Sequence, residues 1–143
     1  MNIAFFLKPK IEVVYVNEKY SLEKTIEILE KYKYGAIPII DDKGKYVGTL
    51  TEGDVLWYLK NLSKDNEDLR DKLKYMKTNQ VPRRIKNSPV KINSNIESLI
   101  SIAVSQNFVP VVDDENVFIG IITRSSIIDY CFNELKDKEQ KIV

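Results

Sequence analysis

The chain repeats itself. The stretch Ala36-Ile-Pro-Ile-Ile-Asp-Asp-Lys-Gly-Lys-Tyr-Val-Gly-Thr-Leu-Thr51 lies over Phe108-Val-Pro-Val-Val-Asp-Asp-Glu-Asn-Val-Phe-Ile-Gly-Ile-Ile-Thr123 without a gap. Pro38 meets Pro110, Asp41 meets Asp113, Gly48 meets Gly120 and Thr51 meets Thr123, each 72 positions on. A duplication at fixed period constrains the fold more than any composition does, because both copies must satisfy one plan. In a chain of 143 residues neither copy is long enough to be stable alone, so each needs a neighbour to complete its core.

Within each copy the order of elements is β-α-β-β-α. A β-branched run (Val13 to Val16; Val90 to Ile92) predicts a strand. The apolar 3–4 spacing of Leu22, Ile26 and Leu29, with Ser21 ahead of it, predicts a capped helix. In the second copy Ile96, Leu99, Ile100 and Ala103 carry the same pattern, with Asn93 or Ser94 as the expected cap. Two strands follow in each copy, over Ala36 to Ile40 and Tyr46 to Leu50, then Val109 to Val112 and Val117 to Ile122. Asp-Asp-Lys-Gly and Asp-Asp-Glu-Asn join them, and Asp, Asn and Gly tolerate the backbone angles of a tight turn. Thr51 and Thr123 stand where N-caps belong, ahead of helices expected over 52–62 and 124–138.

Pro38 and Pro110 lie inside strands. Proline has no N–H for the ladder, so both are expected at a sheet edge or beside an opening in the sheet, either protecting an edge or leaving backbone for a ligand. Between the copies, Leu62 to Lys77 is charged but keeps Leu62, Leu69, Leu73 and Met76 near helical spacing, which predicts a loop and a helix. Lys136 to Val143 reads as a solvated, fraying end. The resulting division is a first domain over 1–62, a linker with a helix over 63–80, a second domain over 81–138 and a tail over 139–143.

Composition narrows the chemistry. The sequence contains no histidine and one cysteine, Cys131, which removes Ser-His and Cys-His nucleophile pairs, imidazole acid-base work and the common zinc sets. Only carboxylate or lysine chemistry is left to an enzyme, with Glu52 and Asp54 on one helical turn as the nearest pair. A net charge of +1, with signs interleaved, argues against a nucleic-acid partner. No apolar run approaches the roughly 20 residues of a membrane span, and the N-terminus lacks the basic start and cleavage site of a signal peptide. With the lone cysteine, this leads to the expectation of a cytoplasmic protein without a disulfide.

The motifs Ile37-Pro-Ile-Ile-Asp41 with Val47-Gly-Thr-Leu-Thr-Glu-Gly-Asp54, and Val109-Pro-Val-Val-Asp113 with Ile119-Gly-Ile-Ile-Thr-Arg-Ser-Ser126, resemble the CBS domain, named for cystathionine β-synthase. The resemblance runs from about Phe6 to Leu135. It implies an α/β (α+β) fold of tandem CBS repeats packed as a pseudo-twofold pair, the Bateman module, of the small stand-alone bacterial type. It further implies clefts that take adenosine-containing ligands (AMP, ADP, ATP, S-adenosylmethionine or cyclic di-AMP) and pairing into a homodimer. No cofactor is required on this reading; an adenine nucleotide serves as regulatory ligand.

The residues give that resemblance a physical content. The helix beginning after Thr51 presents backbone N–H groups and a positive dipole end, suited to phosphate. The Thr51 hydroxyl can cap that helix or touch the phosphate. Asp54 is an acceptor-only carboxylate able to hold ribose hydroxyls, and Ala36, Ile37 and Pro38 offer an apolar wall to a base. In the second copy Phe108, Val109, Pro110 and Thr123 match, but Ser126 replaces the acid and cannot chelate a diol. Arg124 adds a donor fork suited to phosphate, and by analogy Arg84, on the approach to the second copy, can reach one too.

Phe5 and Phe6 are expected in core or dimer packing. Of Trp57 and Tyr58, one is expected to face the core and the other a partner or solvent. Tyr32 and Tyr34 are expected to pack, as is Cys131 as a small buried residue. The function expected is a non-catalytic sensor of an adenine nucleotide, acting on an unknown partner protein in trans. The alternative is a structural or interaction module that binds no ligand tightly.

Overall fold

A computed structural model describes residues 2–65 and 68–142. They form two compact units, one of Val14–Asn87 and one joining Met1–Val13 to Ser88–Val143. Each is built on one copy of the repeat. No helix among the described residues is long and apolar enough to cross a membrane.

In the first-repeat unit the strands β2 (Val16–Asn17), β3 (Ala36–Ile40) and β4 (Tyr46–Thr51) form a sheet in that order. β2 runs parallel to β3, and β3 antiparallel to β4. Helices α1 (Leu22–Tyr32) and α2 (Glu52–Leu62) cover the sheet. The apolar spacing of α1 does what it predicts: Leu22 and Leu29 are buried, packed with Val16, Ile37, Ile39, Leu50, Val55 and Val81. Ser21 Oγ accepts from Lys24 N at 3.1 Å, the expected cap. At its other end α1 closes on Lys33 in the left-handed region, φ 56°.

The linker belongs to this unit. After a 3₁₀ turn at Ser63–Asp65, α3 (Leu69–Leu73) starts at Asp68, and Leu73 and Met76 pack against the core. The charged segment thus forms a loop and a helix as expected, apart from residues 66 and 67, which lie outside the described residues. Leu22 N donates to Met76 O at 2.8 Å. The Thr25 and Thr78 hydroxyls, both buried, meet at 2.6 Å, and Thr78 Oγ1 also reaches Tyr20 O at 2.9 Å. Each buried hydroxyl therefore has a partner.

The second-repeat unit adds a strand. Its sheet runs β1 (Lys8–Pro9), β7 (Phe118–Thr123), β6 (Phe108–Val112), β5 (Val90–Lys91), with α4 (Ile96–Ala103) and α5 (Arg124–Ile142) packed on it. The N-terminal segment supplies Ile3, fully buried with Leu99, Val109, Val111 and Ile122, while Phe6 packs edge-on against Tyr130 at 5.2 Å. Phe5 instead stays 80% exposed.

The two hairpin turns are superposable in their bonding. Asp41 Oδ1 accepts from Lys43 N and Lys45 N, and Asp113 Oδ1 from Glu115 N and Val117 N, all within 2.9 Å. Gly44 and Asn116 occupy the left-handed position, φ 80° and 66°. These are residue types able to take it cheaply.

Several expectations need correction. α4 is capped by Asn95, whose Oδ1 accepts from Ser98 N, and not by Asn93 or Ser94, because the helix begins only at Ile96, two residues later than a cap at Asn93 implies and one later than a cap at Ser94. The first strand holds only Val16 and Asn17; Val13, Val14 and Tyr15 join no strand and follow a 3₁₀ turn at Lys10–Glu12. The end of the chain continues as helix to Ile142. Tyr32 and Tyr34 stack on each other at 5.5 Å and stay exposed.

The prolines are not on edge strands. β3 and β6 are both interior, and what matters is the side each proline faces. Glu52 N donates to Gly35 O, so by alternation the pair Pro38–Thr49 is non-hydrogen-bonded and Pro38 N faces away from β4. On that side β2 begins its pairing only at Ile39, so the missing N–H falls where the ladder has ended. Arg124 N to Asn107 O, and β5 pairing from Val111 on, place Pro110 identically. The sheet is open there, as one of the two expectations had it.

Candidate functional site

Three residues of the first-repeat unit come together at the start of α2. Thr51 Oγ1 accepts from Asp54 N at 3.1 Å, and Asp54 Oδ2 accepts from Thr51 N at 3.0 Å, a reciprocal capping box. Asp54 Oδ1 accepts from Arg84 N at 2.9 Å. Asp54 is only 3% exposed, yet it has three charge-stabilising features: two backbone donors and the helix N-terminus. Each oxygen carries one protein hydrogen bond, leaving lone pairs for further donors such as hydroxyls.

Arg84 was expected at the approach to the second copy; its partner is Asp54 of the first. Its guanidinium carbon lies 5.9 Å from the Trp57 ring centroid, with Lys60 Nζ 5.4 Å from the same ring. Trp57 is 44% exposed while Tyr58 packs on the core, which resolves that pair as expected. The neighbouring Arg83 lies over Gly48: a Cβ there would fall 2.5 to 2.9 Å from its guanidinium atoms. Gly48 is thus required for the approach of a side chain. Tyr46, beside it, is buried; its hydroxyl donates to Asn87 O at 2.7 Å and pairs with Thr49 Oγ1 at 2.8 Å. Burial pushes its phenol up to about 12.

The expected phosphate donors are partly spoken for. Glu52 N goes to Gly35 O and Asp54 N to Thr51, so two first-turn N–H groups of α2 are used internally. Ala36, Ile37 and Pro38 lie on β3, antiparallel to the strand that leads into α2, with Ala36 paired directly to Thr51.

The second-repeat unit keeps the frame and loses the acid. Ser126 N donates to Thr123 Oγ1 at 3.3 Å, but the Ser126 hydroxyl turns back to Thr123 O at 2.9 Å. Arg124 Nε donates to Ala103 O at 3.0 Å and Gln106 O at 2.9 Å, closing the end of α4. Part of the donor fork expected for phosphate is therefore engaged with backbone. Phe108, Val109 and Pro110 hold the same register as their first-copy counterparts, Phe108 paired to Thr123.

What the residue pattern missed is the linker's contribution. Arg84 is expected to reach a phosphate from the approach to the second copy, and nothing in the spacing of Pro82-Arg83-Arg84 announces Gly48, Asp54 or Trp57 as neighbours. The small residue Gly48, matched by Gly120, was the available signal for a close approach. At Gly120 the approaching group is the Lys8 carbonyl of β1. Among the described residues no group of three or more His, Cys, Asp or Glu is placed to hold a metal ion.

The family model described as "CBS domain" matches residues 8–61 and again 78–133. The chain belongs to the CBS domain family. It carries two CBS repeats, in mixed α/β form with two sheets. Inosine-5′-monophosphate dehydrogenase of Methanocaldococcus jannaschii is 30% identical over 117 residues, which is 82% of this chain. The chain spans only 21% of the length of that enzyme. Among solved structures, CbpB in complex with c-di-AMP is 23% identical, covers 99% of this chain and is itself 91% covered, with a TM-score of 0.83. CBSX2 in complex with AMP is 22% identical, with 92% and 96% covered and a TM-score of 0.69. These CBS-pair proteins share the fold.

Proposed function

We propose that this CBS pair is a non-catalytic regulatory module that binds an adenosine-containing nucleotide and acts on a partner protein in trans, as a homodimer. The observation that carries the proposal is the Thr51–Asp54–Arg84 constellation. It is a buried carboxylate held by the backbone N–H groups of Thr51 and Arg84, with the Arg84 guanidinium beside the exposed Trp57 indole. A carboxylate so oriented suits ribose hydroxyls, and a guanidinium suits phosphate. The structures of CbpB with c-di-AMP and CBSX2 with AMP support the ligand class. The absence of histidine and the use of Asp54 as a cap support the non-catalytic reading.

A second reading, an interaction module without tight ligand binding, has its own support. Ser126 and Arg124 are both turned onto backbone carbonyls, which leaves the second-repeat site poorer in ligand groups. A thermal-shift screen with AMP, ADP, ATP, S-adenosylmethionine and cyclic di-AMP separates the two. A ligand at 100 times its dissociation constant stabilises the fold by about 2.7 kcal/mol, a shift of several degrees. No shift with any of them at millimolar concentration supports the interaction module.

A further inference from the structure

Charge along the chain is interleaved except in one place. Seven of the 22 basic residues but only Asp71 of the 21 acidic ones fall between Arg70 and Lys86, so this segment carries a net +6 and the rest of the chain a net −5. Arg70, Lys74, Lys77, Arg83, Arg84 and Lys86 are exposed, and Lys72 is half-buried. Among the described residues none of the six exposed cations forms an ion pair with a carboxylate side chain. Like charges gathered without partners repel one another, and an oppositely charged surface relieves that repulsion.

The segment is pinned along its length, so the charges stand on a fixed frame. Leu73 and Met76 pack on the first-repeat core, Thr78 is buried, and Val81 is 5% exposed. Met76 O accepts from Leu22 N at 2.8 Å, Thr78 N donates to Tyr20 O at 2.9 Å, and Asn79 N donates to Glu18 O at 3.0 Å. With those positions turned inward, the cations are left in solvent. Two large side chains stand out among them: Tyr75 is 85% exposed and Ile85 59%. Arg84 extends the same surface to Trp57, which is also exposed and is flanked by Lys60. Arginine and aromatic side chains anchor protein interfaces, and a frame already ordered spares the entropy of fixing it on docking.

We propose that the segment 70–86 is a docking surface for an acidic stretch of a partner protein, one that carries apolar residues among its carboxylates. The size of the anion favours this over a nucleic acid or an anionic membrane. Either of those is an extended polyanion, which meets the net −5 of the remaining chain once it passes the segment. A short acidic stretch engages the cations alone. The proposal rests on the reading above that the chain acts on a protein in trans, and not on the nucleotide. Peptide binding by a chain that binds no nucleotide supports it, whereas nucleotide binding without peptide binding overturns it and leaves the Asp54 site standing.

The probe is a fluorescein-labelled peptide of repeated Glu-Glu-Phe, titrated by anisotropy into the native chain and into the triple variant Lys74→Glu, Lys77→Glu, Lys86→Glu. These are exposed lysines, none of them assigned to the nucleotide, and their replacement leaves the core untouched. Saturable binding to the native chain is expected, weakened by added salt and by about tenfold or more in the variant. A control, Lys43→Glu with Lys45→Glu and Lys138→Glu, reverses as many exposed charges elsewhere and should bind as the native chain does. Absence of binding, equal binding by the triple variant, or an equal loss in the control overturns the proposal. So does tighter binding of a thymidine oligonucleotide, or of vesicles of equal parts phosphatidylserine and phosphatidylcholine, than of the peptide. Tyr75→Ala leaves the charge as it is and should still weaken the peptide several-fold; unchanged affinity there overturns docking in favour of bare charge attraction.

Discussion

The backbone N–H of Arg84 donates to Asp54 Oδ1 at 2.9 Å across thirty residues of sequence. That bond joins the linker to the first turn of α2, and the same carboxylate closes the capping box with its other oxygen. Asp54 therefore has a folding role as well as a proposed binding role. Asp54→Ala should cost about 1–2 kcal/mol, the usual loss of a cap plus a hydrogen bond to a charged acceptor. Asp54→Asn keeps the shape and one acceptor oxygen and should cost less. Urea unfolding with a constant slope checks both.

Gly48 and Gly120 are equivalent in the repeat but should not be equivalent in cost. At Gly48 a new methyl meets the far end of the Arg83 side chain, which can swing aside. At Gly120 it meets the Lys8 carbonyl of the paired strand β1, at a φ of +155°. Gly48→Ala is expected to cost about 1 kcal/mol or less, and Gly120→Ala at least about 2 kcal/mol, the range for strained backbone and steric conflict in a core. Paired denaturation midpoints decide the ranking.

Lys33 ends α1 in the left-handed region, where its Cβ is strained. Lys33→Gly should raise stability, by up to about 1 kcal/mol, since glycine takes that C-terminal position without penalty. A melting temperature unchanged or lowered by the substitution contradicts the reading of this helix end.

Tyr46 supplies a pH dependence. Its phenol is pushed from 10.0 to about 12 by burial, so the folded state holds the proton where the unfolded state releases it. The contribution is complete below pH 10 and is lost as pH rises from 10 towards 12, because the unfolded chain then binds fewer protons. The full loss is on the order of 2–3 kcal/mol. Ultraviolet titration should show one of the eight tyrosines ionising late, and Tyr46→Phe should flatten the alkaline limb of the stability curve.

Much of this was visible in the residues, for reasons that are local. The strands around Pro38 and Pro110, the turns at Asp41 and Asp113, and the caps at Ser21 and Thr51 each depend on side chains within a few positions. The exceptions are also physical. Asn95 wins the cap of α4 over its neighbours by one hydrogen bond to Ser98 N, a choice among three similar acceptors. Pro38 is tolerated in an interior strand because β2 begins only at Val16, opposite Ile39, and that starting point is set by pairing between segments more than twenty residues apart. At the candidate site Thr51 and Asp54 announce themselves by spacing, but Arg84 N on Asp54 and the Arg84–Trp57 contact span the linker, and no periodicity records them.

The measurement that tests the central claim most directly is calorimetric titration of cyclic di-AMP and of AMP into the native chain and into Asp54→Ala, at a temperature where both are folded. The account predicts saturable binding of at least one of them to the native chain, weakened tenfold or more in the variant. Absence of binding by either at millimolar concentration, or binding of equal strength in Asp54→Ala, would contradict it.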